Sequence, residues 1–267
     1  MKTVNPDPSP VPLDTAARGR IAALASRQKR ANGLLMRAVS FAGGQVEDGM
    51  RMLPSGVRDR IDGAARAALL QSYDIASRSR GPGRLSAFTD RIGGDRAHKV
   101  LTAISGALGG FGGLPTALAE LPVATTMIFR AVQGVAEEHG EDPLSEETRL
   151  ECLRVFGAGG PDTDEAGVDT TFVGARIGLS GAALNGMIAR VAPRFAAVLS
   201  QKLASQAIPI LGAAAGAGVN YAFTDFYVEM AHVHFGLRAE SREYGEEAVL
   251  DVFHVALAGG RPPVNRA

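Results

Sequence analysis

The stretch "LTAISGALGGFGGLPTALAELPVATTMIF", residues 101–129, contains a single formal charge, Glu120, in 29 positions. A membrane-spanning helix needs about 20 mainly apolar residues, and the charge-free windows 100–119 and 203–224 reach that length. Both windows are interrupted by glycines and small polar residues, and neither has a belt of Trp and Tyr at both ends. We therefore predict two buried helical hairpins in a water-soluble or peripheral protein. Shallow insertion into one leaflet and full spanning are the alternatives.

The composition around these stretches favours helices. The chain of 267 residues has 33 glycines, 6% aromatic residues and no Trp, which disfavours a β-sandwich or a carbohydrate-binding groove. No segment of the first hundred residues shows the alternation with period two that half-buried strands show. Cys152, the only cysteine, lies between apolar neighbours and is predicted to be a buried structural thiol in a reducing compartment. We predict an all-α multi-helix bundle with two Gly-rich apolar helical hairpins.

The two ends of the chain differ from its centre. Four prolines fall within the first twelve residues, and no apolar segment follows Lys2, so the pattern is not that of a secretory signal. We interpret residues 1–15 as a disordered leader, residues 16–257 as one helical domain and residues 258–267 as a loose C-terminal tail.

Charge is distributed unevenly although the net charge is zero. Residues 1–100 hold 17 Lys or Arg and 9 Asp or Glu, whereas residues 101–267 hold 11 and 19. Basic residues and apolar residues at helical spacing together predict a basic amphipathic helix over residues 16–42. Such a helix can lie on an anionic lipid surface, or it can pack against the acidic C-terminal half. The sequence leaves both interpretations open.

The segment "DFYVEMAHVHF", residues 225–235, offers candidate metal ligands. On a helix, Asp225, Glu229 and His232 share one face, and E-x-x-H is half of a carboxylate-bridged metal site. His232 and His234 lie about 200° apart on a helix, so they cannot bind the same ion from it. These four residues define an alternative function, a metal-dependent hydrolase of the peptidase type.

Other chemistry has less support. The chain has no G-x-S-x-G nucleophile motif, no phosphate loop and no dinucleotide fingerprint after a strand. It has no basic stripe with interleaved aromatic residues, so we expect no nucleic-acid partner. We expect no cofactor and favour a non-enzymatic protein. Glu120 and Asp225, acids within apolar runs, are expected to form structural ion pairs, for which Arg130, Arg176 and Arg238 are the candidate partners.

An internal similarity relates two parts of the chain. Residues 113–142 align with residues 218–247 at a constant shift, which pairs Gly140 with Gly245. Such a match is typical of an internal repeat, and it also arises by chance in a Gly/Ala-rich sequence.

Two blocks of the sequence together resemble the EcsC family, bacterial proteins named from an operon that also encodes an ABC transporter. The first is "ELPVATTMIFRAVQGVAEEHGED…RLECLRVFGAGG" (120–160), and the second is "AIPILGAAAGAGVNYAFTDFYVEMAHVHFGLRAESREYG" (207–245). The positions that fit the family pattern are Glu120, Pro122, Pro209, Gly212, Gly216, Asn220, Asp225, Met230, Ala231, His234, Phe235, Arg238, Tyr244 and Gly245. Glu229 stands where the family commonly has Asp, and His232 stands where it more often has Arg.

The resemblance, over roughly residues 50–257, implies a helical protein linked to transport and secretion, with no established reaction. We therefore expect a non-enzymatic accessory protein, attached peripherally to the cytoplasmic face of a bacterial membrane. Its expected partners are an anionic membrane surface and an ABC transporter or secretion component.

Overall fold

A computed structural model describes residues 12–43, 55–78, 113–158, 185–193, 195–196 and 212–259. Over these residues the secondary structure is helical, without strands, which confirms the all-α prediction. The helices are α1 (Thr15–Gly43), α2 (Ser55–Arg78), α3 (Gly113–Glu138), α4 (Glu146–Phe156), α5 (185–193), α6 (Gly212–Tyr244) and α7 (Glu246–Leu257). Most of the proposed leader and tail lies outside the described residues.

Helix α1 is the predicted basic helix, and it packs along α6 and α7. Arg20 contacts Glu240 and Arg27 contacts Glu229, so α1 and α6 run antiparallel. A core of apolar side chains from all three helices fills the interface: Ala17, Ile21, Ala25, Val233, Leu237, Val249 and Phe253. At Gly236 an added Cβ would lie 2.8 Å from Cδ2 of Leu24, so the glycine allows this close approach.

A second, larger core joins α2, α3, α4, α5 and α6. Its aromatic centre is Phe156, whose ring lies 4.2 Å from that of Phe129 and 4.9 Å from that of Tyr227, measured between centroids. Phe195 packs edge-on against Phe156 at 5.3 Å. These rings connect α3, α4 and α6 across long sequence separations, and Cys152 is buried in the same core as predicted.

The two Gly-rich helices α3 and α6 run in the same direction. Phe129 and Tyr227 both pack on Phe156, and further along, Nε2 of His139 lies 3.3 Å from Nδ1 of His232. Residue numbers rise together along both helices, so their N-terminal ends lie at the same end of the molecule. Every helix in the described part of the chain is too short or too polar to cross a bilayer.

The predicted hairpins are described only in part. Residues 113–129 lie in α3 and residues 212–224 lie in α6, with no turn inside either helix. The preceding parts of both stretches, 101–112 and 203–211, lie outside the described residues. The glycines from Gly212 to Gly218 belong to the start of α6.

The observed ends of α3 and α4 can be compared with the residues that commonly begin or end helices. Proline is common in the first turn of a helix, but α3 begins at Gly113 and continues through Pro122. The packing of α3 on α2 compensates for the backbone hydrogen bond that proline cannot donate. Gly140, with a φ of 80°, follows the end of α3, and Ser145, whose side chain accepts from the amide of Thr148, is the N-cap of α4.

Candidate functional site

The two histidines of α6 point to different neighbours, as their spacing predicts. Nδ1 of His232 lies 3.3 Å from Nε2 of His139, which follows the end of α3. Nε2 of His234 donates to Oε2 of Glu151 on α4 at 2.8 Å. Each histidine therefore fastens α6 to a different element.

The two acids of the predicted metal set lie apart from these histidine contacts. Glu229 accepts from Nε and Nη2 of Arg27 on α1, at 2.7 and 3.2 Å. Asp225 is half-buried and lines a cleft between α1 and α6. Within the described residues, no three His, Cys, Asp or Glu side chains converge as metal ligands. The structure therefore does not bring Asp225, Glu229, His232 and His234 together at one ion.

The most deeply buried acid of the described chain is Glu151, which is 2% exposed. It accepts from His234, from Nη1 of Arg154 at 2.8 and 3.0 Å, and from Nη1 of Arg238 at 3.3 Å. Burial alone would raise the pKa of Glu151, but the hydrogen bond of His234 and the positive charges of Arg154 and Arg238 lower it below its ordinary value. Glu151 is thus an ionised carboxylate in the interior that joins α4 to α6.

Arg238 connects this carboxylate to the surface. Its Nε donates to Oε1 of Glu141 at 2.9 Å, and its Nη2 donates to Glu147. Arg242 also binds Oε1 of Glu141, at 2.5 Å. Burial opposes the charge of Arg238, yet Glu151 and Glu141 raise its pKa above the ordinary value. Arg238 therefore holds the turn after α3, together with α4, against α6.

His139 lies where α1, α3 and α6 meet. Burial lowers the pKa of His139, and the nearby His232, Arg27 and Arg242 lower it further, while Glu141 opposes the shift. The imidazole is therefore neutral near pH 7. Its hydrogen bond with His232 needs one neutral ring nitrogen as acceptor and one N–H as donor.

The cleft between α1 and α6 has a volume of about 990 Å³. Arg27, Lys29 and Arg30 line it from α1, and Asp225 and Glu229 line it from α6. The remaining lining residues are small: Ala23, Ser26, Ala31 and Gly33. A Cβ added at Gly33 would meet no atom within 4 Å, so the cleft is open beside this residue. The cleft thus lies between basic residues of α1 and acidic residues of α6, and the ion pair of Arg27 with Glu229 joins its two sides.

The basic residues of α1 are divided between two roles. Arg20 binds both oxygens of Glu240 at 2.6 and 2.9 Å, Arg27 binds Glu229, and Nζ of Lys29 donates to the carbonyl of Ala256 at 2.9 Å. These contacts fit the interpretation that the helix packs against the acidic C-terminal half. Arg18 and Arg30 are exposed and remain at the surface.

Exposed apolar side chains collect near the N-terminal ends of α3 and α6, a region called the apolar end below. Val123 is 51% exposed on α3, and Tyr221 is 41% exposed on α6. Ile75 on α2 is 52% exposed, and a hydrogen bond from Ser72 to the carbonyl of Pro122 holds this part of α2 beside Val123. Two further exposed apolar residues, Leu144 and Val255, lie outside this group.

The residues that fit the EcsC pattern lie in different parts of the structure. Arg238 and His234 belong to the Glu151 cluster, Tyr244 is buried at the end of α6, and Gly245 joins α6 to α7 with a φ of 86°. Arg238, one of the three candidate partners of Glu120 and Asp225, contacts three glutamates: Glu141, Glu147 and Glu151. Arg176, Pro209 and the side chains of Glu120 and Asn220 are not among the parts of the chain that the structure describes.

Sequence reasoning missed Glu151 and His139. Glu151 lies three residues before Arg154, a spacing that is also typical of exposed ion pairs. The signal that could have found it is its place between Leu150 and Cys152, in a helix whose residues from Leu150 to its end are all buried. His139 carries no comparable signal.

The residues of this cluster lie in a part of the chain that matches a known protein family. The EcsC protein family matches residues 93–239, more than half of the chain. The chain belongs to the EcsC family. Searches of curated proteins and of solved structures gave no significant match. The match with the EcsC family includes Glu151, His234 and Arg238, so the buried cluster lies in the family region, whereas α1 and α7 lie outside it.

Proposed function

We propose that this EcsC protein is a non-enzymatic accessory protein, attached peripherally to the cytoplasmic face of a bacterial membrane. It acts there beside an ABC transporter or a secretion component. The observation that carries the attachment is the apolar end, where Val123 and Tyr221, in the N-terminal halves of α3 and α6, and Ile75 on α2 expose apolar surface. The transport partner is supported by the operon from which the family takes its name.

The two ends of the bundle have different chemistry. From Val123 to His139, α3 rises by about 24 Å at 1.5 Å per residue, and the ion pairs of Glu141 and Glu151 lie at the far end. A group of exposed apolar side chains is typical of a surface that binds lipid or protein. Exposed Arg30, which follows Arg27 on α1 and so lies toward the apolar end, would add about 1 kcal/mol on an anionic surface.

The buried cluster fits a structural role rather than catalysis. Its acids and bases bind one another: Glu151 binds His234 and two arginines, and His139 binds His232. Buried charges that are matched in this way hold helices in register. The cluster would therefore keep α3, α4 and α6 rigid while the apolar end contacts the membrane.

Fractionation of host cells tests the attachment. Membranes are washed with low salt, high salt and alkaline carbonate, and we expect release by high salt or carbonate. Recovery of all the protein in the soluble fraction at low salt would contradict the proposal, and release by detergent alone would show integral insertion instead.

Substitutions locate the contact in a vesicle-sedimentation assay. Partial burial of one apolar side chain contributes about 1 kcal/mol, a factor of about five in affinity. We expect Val123→Ser and Tyr221→Ser each to weaken binding to anionic vesicles by about that factor. Leu144→Ser is the matched control, because Leu144 is 72% exposed but lies beyond α3, away from the apolar end. Equal effects of all three would contradict this contact surface.

A further inference from the structure

We propose that the contact between His139 and His232 is a proton-sensitive latch, which holds α1 against α6 near neutral pH and releases α1 in acid. The latch lies where α1, α3 and α6 meet, so a charge that appears there acts on the contacts of all three helices.

The two imidazole rings of the latch join the end of α3 to α6. Nε2 of His139 lies 3.3 Å from Nδ1 of His232, whose residue is 8% exposed. One of these two facing nitrogens must donate and the other must accept. A first added proton places a positive charge on the pair, and a second leaves two facing N–H groups with no acceptor between them. Acid therefore first charges this contact and then breaks it.

Charged groups face the latch from each element of the junction. Burial lowers the pKa of His139, and His232 lowers it further. Arg27 on α1 and Arg242 on α6 act in the same direction, whereas Glu141, in the turn after α3, opposes them. The carboxylate of Glu141 already binds Nη1 of Arg242 at 2.5 Å, which offsets part of its charge. A proton on the latch is therefore placed among cations.

Arg27 carries the effect of this proton to α1. It binds both oxygens of Glu229, at 2.7 and 3.2 Å, and Glu229 lies three residues before His232 on α6. Residues at this spacing are neighbours on a helix surface, so a protonated His232 competes with Arg27 for the same carboxylate. Protonation thus repels Arg27 and weakens its ion pair at the same time.

Helix α1 is the element that this repulsion displaces most easily. The fully buried side chains that it adds to the core shared with α6 and α7 are Ala17, Ile21 and Ala25, and alanine buries little apolar surface. By contrast, Phe129 fixes α3 in the aromatic centre of the larger core. Helix α1 also lies outside residues 93–239, so the bundle of the family region can remain when α1 leaves.

Release would change what α1 can bind. In the closed bundle its apolar face packs on α6, so this face can contact lipid only after α1 has left. This consequence rests on the membrane attachment proposed above, whereas the release itself does not.

Distances between spin labels test the release in solution. One pair of labels, on Gly19→Cys and Leu144→Cys, joins α1 to the turn after α3, and the control pair, on Gly63→Cys and Leu144→Cys, joins α2 to the same turn. All three positions are exposed, whereas Cys152 is buried. Double electron–electron resonance measures both distances at about pH 7.5 and at about pH 5, where carboxylates remain largely ionised. We expect the first distance to lengthen in acid and the second to stay constant. An unchanged first distance, or equal lengthening of both, would overturn the proposal.

Substitutions of His139 test the origin of the release. His139→Gln cannot take up a proton, so acid should lengthen the first distance less than in the wild type. His139→Lys carries a permanent charge and should lengthen it already at about pH 7.5. A difference of one pKa unit between the latched and released states makes release about tenfold more favourable once the histidine is protonated.

His254→Lys is the matched control, because it makes the same change at an exposed histidine on α7. It should keep the short distance at about pH 7.5. Equal distances in His139→Lys and His254→Lys would overturn the proposal.

Anionic vesicles separate the latch from the membrane attachment. If both are correct, lowering the pH to about 5 increases sedimentation with vesicles more in the wild type than in His139→Gln. Lengthening in solution without this increase would support the latch and contradict a lipid contact of α1. Vesicle binding through the apolar end, without lengthening at either pH, would overturn the latch and leave the attachment standing.

Discussion

Glu151 shows how one side chain can join distant parts of this protein. It receives charged hydrogen bonds from α4 itself, through Arg154, and from α6, through His234 and Arg238. Placing a carboxylate in the interior is costly, and the matched donors offset that cost. Removing the charge would take away the carboxylate that Arg154, which is 7% exposed, binds through both oxygens.

At this scale we expect Glu151→Gln to lower the free energy of unfolding by about 3–5 kcal/mol, because it breaks a buried ion pair by removing the carboxylate charge while keeping the shape of the side chain. Urea denaturation followed by circular dichroism measures the loss. Glu147→Gln is the control, since the Glu147 side chain is 55% exposed and its pair with Arg238 should contribute about 0–1 kcal/mol. Similar losses of unfolding free energy in both variants would contradict a larger contribution from the buried carboxylate of Glu151.

At the scale of elements, two glycines end long helices. Gly140 follows α3 and Gly245 follows α6, with φ values of 80° and 86°. The internal alignment pairs these two positions, and they share a conformation. The similarity stops there, because α7 begins directly after Gly245, whereas the turn through Glu141 and Ser145 precedes α4.

Replacing a glycine by alanine should have opposite effects on the free energy of unfolding at Gly140 and at Gly63. Gly140→Ala should lower the free energy of unfolding by about 1 kcal/mol, because an L side chain is strained at this φ. Gly63→Ala, within α2, should raise it by about 1 kcal/mol through helix propensity. Neither new methyl group would meet an atom within 4 Å, so packing does not enter the comparison. The two substitutions are compared by urea denaturation, and shifts of the same sign would contradict this account.

The same elements show what the sequence could predict. Helix α4 and the stop at Gly140 follow from caps and glycine, which act within a few residues. The continuation of α3 through Pro122 depends on packing against α2, which no local signal contains. The resemblance pointed to His234 and Arg238, but their partner Glu151 lies 83 and 87 positions away, so only the folded chain reveals it.

At the scale of the whole molecule, the opposite charges of the two halves meet at defined places. Arg20 with Glu240 and Arg27 with Glu229 join the basic N-terminal helix to the acidic C-terminal part. Such contacts between partly exposed groups contribute little individually. They set the alignment of α1 on α6, and with it the position of Arg27 beside His139 and the cleft.

This arrangement makes the stability of the protein depend on pH through His139. Its pKa is below the ordinary 6.5 in the folded state, so the unfolded state binds this proton more readily. The stabilisation is complete above pH 6.5 and is lost as the pH falls from 6.5 toward the lower folded value. We expect the melting temperature to fall between about pH 7.5 and about pH 5.5, and to fall less in His139→Gln.

His254→Gln provides the control, because it removes an exposed histidine on α7, away from the contacts of His139. An unaltered pH profile in His139→Gln would assign the acid sensitivity to other groups. A reduced slope would instead show that protonation at the junction of α1, α3 and α6 opposes folding of the assembled bundle. The burial of His139 and its cationic neighbours Arg27 and Arg242 are the physical reason for that opposition.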